Sequence, residues 1–62
     1  MSLLPRIEAY LKRARISATR FGRLAARDPK LVHDLRRGRE LRRATERRIA
    51  AWLDRAETAL RP

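Results

Sequence analysis

The sequence predicts an all-α fold: a compact four-helix domain with an extended C-terminal helix. Three observations carry that prediction. Apolar residues recur at helical spacing along the chain, and no strict apolar/polar alternation runs past four residues. Val, Ile and Thr, the residues that favour strands, are few. The third observation is punctuation, because Ser17, Asp28-Pro29 and Gly38 mark starts and stops at short intervals.

The first helix is expected from about Leu3 to Arg15. Leu4, Ile7, Leu11 and Ala14 make its inward stripe with Tyr10 flanking, while Arg6, Glu8, Lys12 and Arg13 point outward. Ser2 is the expected N-cap, and Pro5 falls in the first turn, where its missing N–H does little harm. Ser17 then caps a second helix, Ala18 to Ala26, with Phe21, Leu24 and Ala25 inward. Gly22 lies inside it at a cost of about 1 kcal/mol relative to Ala, so another helix is expected to approach closely there.

Asp28-Pro29 reads as an N-cap followed by Pro at the first helical position, which opens a third helix from Pro29 to Arg37. Val32 and Leu35 face inward, and Gly38 closes the helix in a left-handed conformation. A loop from Arg39 to Arg42 follows, with Leu41 against the core. The last helix starts between Arg43 and Thr45 and runs to about Leu60, on a stripe of Ile49, Leu53, Ala56 and Leu60 widened by Trp52.

Composition narrows the function classes. The chain has 62 residues, with 17 Lys and Arg against 7 Asp and Glu, a net charge of +10. Residues 1–62 therefore make one domain, too small to surround a deep substrate pocket. Cys is absent and His33 is the single histidine, so no metal site is expected, and no cofactor. No nucleophile–base pair, carboxylate dyad or phosphate-cradling glycine loop can be assembled, so no enzyme is expected. Apolar runs are too short for a bilayer span and no signal-peptide core opens the chain, so the expected location is cytoplasmic, associated with the nucleoid. The Asp28-Pro29 and Gly38 breaks argue against an amphipathic membrane helix. Fifteen of the basic residues are Arg, and seven of them fall between Arg36 and Arg48. A positive field of this size attracts polyanions, nucleic acid first.

The second and third helices are joined by only Arg27 and Asp28, which describes a helix-turn-helix. Here the sequence resembles the phage-repressor/Cro-like (XRE) family of helix-turn-helix DNA-binding domains. The resemblance runs through Ile16 to Ala25, then Asp28 to Leu35, then Arg37-Gly38, and with the flanking helices spans roughly Ile7 to Leu53. Phe21 stands at the family's large apolar position and Gly22 at the small position after it. Val32 and Leu35 stand at the two buried positions of the recognition helix, and Gly38 at the closing glycine. The sequence departs from the family's pattern at Ala18, Ala26, Arg27 and Arg36.

The resemblance implies a lambda-repressor-like fold and a recognition helix in the major groove. Its outward positions, Pro29, Lys30, His33, Asp34 and Arg37, are the expected base contacts, and Leu31, where exposed, would touch a thymine methyl. Lys30 and Asp34, four residues apart, either contact bases or pair with each other. Phosphate contacts are expected from Ser17, Thr19 and Arg20 on one flank, and from Arg36, Arg39, Arg42 and Arg43 on the other. Trp52, Ala56, Ala59 and Leu60 form the expected interface of a homodimer, on apolar surface left over along the last helix. The expected function is a sequence-specific regulator on double-stranded DNA, bacterial or phage-like, repressing by occlusion, with no small-molecule ligand. The alternatives are an antitoxin or adaptor that holds an acidic protein, and a non-specific architectural DNA binder.

Overall fold

The computed structural model describes residues 3–60, and the expected cap at Ser2 lies outside them. Four helices follow in order: α1 (Leu4–Ala14), α2 (Ala18–Ala26), α3 (Leu31–Arg36) and α4 (Arg43–Ala59). No strand occurs among the described residues. The radius of gyration is 10.8 Å, which matches the roughly 10.6 Å of a fully packed chain of this length.

Every helix sends at least one completely buried side chain to a common core. These are Ile7 of α1, Phe21 of α2, Leu31 and Val32 of α3, and Ile49 and Leu53 of α4. Tyr10 is not a flanking residue as its spacing suggested; it is buried between Phe21 and Trp52, with ring centroids 5.9 and 5.5 Å away. Phe21 and Trp52 meet edge to face at 5.2 Å, so three aromatic rings join α1, α2 and α4. Each such pair adds about 0.5–1.5 kcal/mol beyond its buried area. The core holds no buried polar side chain among the described residues.

Charge holds the helix ends together from outside. Arg6 of α1 donates to Glu57 of α4 at 2.6 Å and also pairs with Asp54. Arg36 of α3 donates to both carboxylate oxygens of Glu8 on α1, at 2.7 and 2.8 Å. These arginines hold the Glu57 and Glu8 carboxyls below the usual carboxylate range, and Arg39 does the same for Asp28. A depressed carboxyl stabilises the fold above its unfolded pKa and loses that contribution as pH falls through the folded value. Thermal melts should therefore shift to lower temperature once pH drops below about 4.5. Glu8→Gln with Glu57→Gln should flatten that acid dependence.

The connections are where the structure departs from the sequence reading. Ser17 caps α2 as expected, its Oγ accepting the Arg20 N–H at 3.0 Å. At the other end Arg27 takes a left-handed conformation, φ 53°, where many helices place glycine. Arg27→Gly should stabilise the domain by about 1 kcal/mol, because an L side chain is strained in that region. A melting midpoint raised by about 4–8 °C would report it.

The third helix does not begin at Pro29. Asp28 Oδ1 accepts the Lys30 N–H at 3.0 Å and the Asp28 carbonyl accepts the Leu31 N–H at 3.1 Å. Those two bonds fold residues 28–31 into a tight turn, so α3 is shortened to six residues. The shift turns Leu31 inward, fully buried, and removes it from any surface role. Leu24, expected inward, is 53% exposed, because Phe21, Gly22 and Ala25 already fill the buried side of α2.

The close approach expected at Gly22 is made by the first residue of α3, Leu31, and more tightly by the turn that leads into it. The Asp28 N–H bonds back to the Gly22 carbonyl at 3.0 Å, and the turn lies directly on the glycine. A Cβ placed there would stand 2.1 Å from the Asp28 carbonyl oxygen and 3.3 Å from the Leu31 Cβ.

A candidate nucleic acid interface

The six-residue α3 is set at an angle fixed from three sides. Leu31 and Val32 anchor it in the core, Arg36 ties it to α1, and Thr19 Oγ1 shares a 3.3 Å hydrogen bond with His33 Nε2. Beyond its end Gly38, at φ +100°, reverses the chain. The Gly38 N–H bonds the Leu35 carbonyl at 3.1 Å and the Arg39 N–H bonds the Asp34 carbonyl at 2.9 Å, which completes a Schellman closure.

What remains outward is a single stripe. Lys30, His33 and Arg37 are exposed, Asp34 is half-exposed between them, and Pro29 is exposed in the preceding turn. Spacings of three, four and seven residues put the stripe on one face of the helix. Ser17, Thr19, His33 and Arg36 border one shallow hollow, together with Glu8 and Lys12 of α1. Three residues expected to meet phosphate, Ser17, Thr19 and Arg36, and one expected base contact, His33, are thereby brought to one place. Arg20 is exposed two turns of the helix from Arg27, and Arg42 and Arg43 stand exposed at the start of α4.

Other expected residues are placed differently. Arg36 and Arg39 are engaged inside the domain, Arg36 by Glu8 and Arg39 by Asp28 and Asp34 at 2.9 and 3.3 Å. Asp34 pairs with Arg39 and not with Lys30, which settles that open alternative against the i,i+4 pair. Trp52, Ala56 and Leu60 pack against the core, so the apolar excess expected along α4 is largely absorbed, and only Ala59 of the four is exposed. The one large apolar side chain exposed among the described residues is Leu24.

Charge bookkeeping explains the field of the surface. Five carboxylates pair with only three guanidinium groups, those of Arg6, Arg36 and Arg39. The other described Lys and Arg side chains, Lys30 and Arg37 included, form no ion pair, and neither do Glu40 and Glu46. Sequence reasoning did not find the pairing of Arg6 with residues 48 and 51 positions away. No local spacing signals a contact of that range. No described group of His, Asp and Glu is arranged to hold a metal ion, and no described helix is long and apolar enough to cross a membrane.

Comparison with known proteins adds no relative: no family model matches the chain, and neither the curated proteins nor the solved structures give a match.

Proposed function

We propose that this domain binds double-stranded DNA through α3 and acts as a sequence-specific transcriptional regulator, repressing by occupancy. One observation carries the reading. A short helix, packed by one face and joined to α2 by a tight turn, is flanked at its two ends by Lys30 and Arg37, both exposed and with no internal ion pair. Cationic donors on such a helix match the acceptors of guanine O6 and N7 in the major groove. His33 lies between them and leans on Thr19, which joins the base-reading face to the phosphate-facing start of α2. Arg20, Arg42 and Arg43 supply unpaired charge for phosphates, and the start of α4 has no side-chain cap on its N–H groups.

A homodimer with two α3 helices about 34 Å apart would read two half-sites on one face of the duplex. Ala59 and the shallow hollow beside Trp52, Arg55 and Ala56 are where α4 would meet its copy. Sedimentation as a monomer both free and on DNA would remove the dimer and leave the DNA reading standing.

A second reading has one observation in its favour. Leu24 is exposed on α2 beside Arg20 and Arg23, a surface that suits an acidic protein partner with an apolar anchor. Titration of a labelled mixed-sequence duplex against rising salt tests the first reading. The logarithm of affinity should fall steeply with the logarithm of salt, with a slope of about −0.9 for each phosphate contacted. Failure to bind duplex even at low salt would overturn it and leave the protein-binding surface of α2 as the better account.

A further inference from the structure

Two carboxylates border the face of α3 that the DNA reading presents to a polyanion. Asp34 stands within the exposed stripe, one residue from His33 and three from Arg37, and Asp28 stands in the turn that leads into the helix. A bare carboxylate at either place repels phosphate unless it meets a base donor or an internal cation. The fold supplies the cation. Gly38, at φ +100°, turns the chain back along α3, and Arg39 Nη1 reaches Asp28 Oδ2 at 2.9 Å and Asp34 Oδ2 at 3.3 Å. One guanidinium nitrogen thus bridges the turn before the helix and the middle of the helix itself.

We propose that Arg39 is a positioning residue of the DNA-binding face: it neutralises Asp28 and Asp34 and holds α3 to its preceding turn, instead of contacting phosphate. The inference rests on the DNA-binding reading. It reassigns two residues at once, since Asp34 then serves the fold and not a cytosine. The side chains of the clamp are each about a third to two-fifths exposed, so in the free protein water screens them and the pair adds little to stability. A duplex lying over α3 removes that water, and the same charges then interact more strongly. Lys30 is the other cation near Asp28, and its charge also favours the ionised carboxylate. Arg39 is the group that reaches both acids.

A double-mutant cycle on the full chain separates this role from a phosphate contact. The probe is a short fluorescein-labelled mixed-sequence duplex at low salt. Arg39→Ala is measured in the parent and in the Asp28→Asn, Asp34→Asn background. Asn at position 28 keeps an oxygen to accept the Lys30 N–H, so the turn survives. In the parent, Arg39→Ala should weaken binding about tenfold, and in the neutralised background less than about twofold. Arg39→Lys should restore most of the loss in the parent. Equal losses in both backgrounds would mean that Arg39 meets phosphate directly and would overturn the inference, as would no loss in the parent. If Arg39→Ala does not fold, Arg39→Gln takes its place in the same cycle, keeping donors without the charge. A parent that binds no duplex overturns the DNA reading itself, and the parent's own titration makes the two failures distinguishable.

Discussion

Gly22→Ala should leave this domain largely unfolded at room temperature. The added methyl would meet the backbone carbonyl of Asp28 at 2.1 Å, and backbone cannot rotate aside as the end of a side chain can. Relief requires lifting the turn off α2, which breaks the Asp28 N–H bond to Gly22 and pulls Leu31 from the core. Overpacking of a well-packed site costs about 1–3 kcal/mol and sometimes more, and loss of Leu31 packing adds to it. A domain of this size has a small margin, so that sum is decisive. Ala is otherwise the better helix former by about 1 kcal/mol, so helix propensity alone predicts the opposite sign. Circular dichroism with a thermal melt decides between them. A Gly22→Ala variant as stable as the parent would mean that the turn does not rest on α2.

Lys30→Ala combined with Arg37→Ala should abolish preference among DNA sequences while leaving the fold intact. Both side chains are exposed, neither joins an ion pair, and neither helps to fill the core. A base-reading cation is worth about 1–3 kcal/mol of discrimination, so the pair should reduce preference for the best sequence by roughly a hundredfold or more. Arg42→Ala with Arg43→Ala makes the contrast. Those residues should weaken all sequences alike and lessen the salt dependence by about one unit of slope for each lost contact. Anisotropy titrations of both variants against a preferred and a scrambled duplex read the difference. If the two double variants behaved identically, α3 would not be the reading helix.

The legible parts of the fold were those written in local chemistry. The Ser17 cap and the bounds of α2 came from short-range hydrogen bonding and spacing, and the Gly38 closure from the freedom of glycine at positive φ. Asp28-Pro29 was legible as a boundary and misleading as a helix start. The same Asp side chain that caps an N-terminus also forms a turn two residues long, and only the docking of Leu31 selects the turn. That choice also decides Leu31, which the sequence left open and which the fold places in the core.

Leu24 failed for the related reason that a stripe of spacing does not say how wide the buried side of a short helix is. The exposure of Lys30, His33 and Arg37 was legible, because Val32 and Leu35 mark the opposite, inward side by their spacing. The ion pairs of the site were not legible. Arg36 and Arg39 looked like phosphate ligands because charge density is visible in sequence, whereas Glu8, 28 residues away, and Asp28, 11 residues away, become partners only after folding.

Selection of bound duplexes from a random pool at near-physiological salt, followed by sequencing, tests directly whether α3 reads base sequence. Enrichment of a short motif is predicted, lost when Lys30 and Arg37 are replaced by Ala; an inverted repeat with half-sites about one helical turn apart would add the dimer. Retention of DNA with no motif enriched, or no retention at all, would contradict that reading.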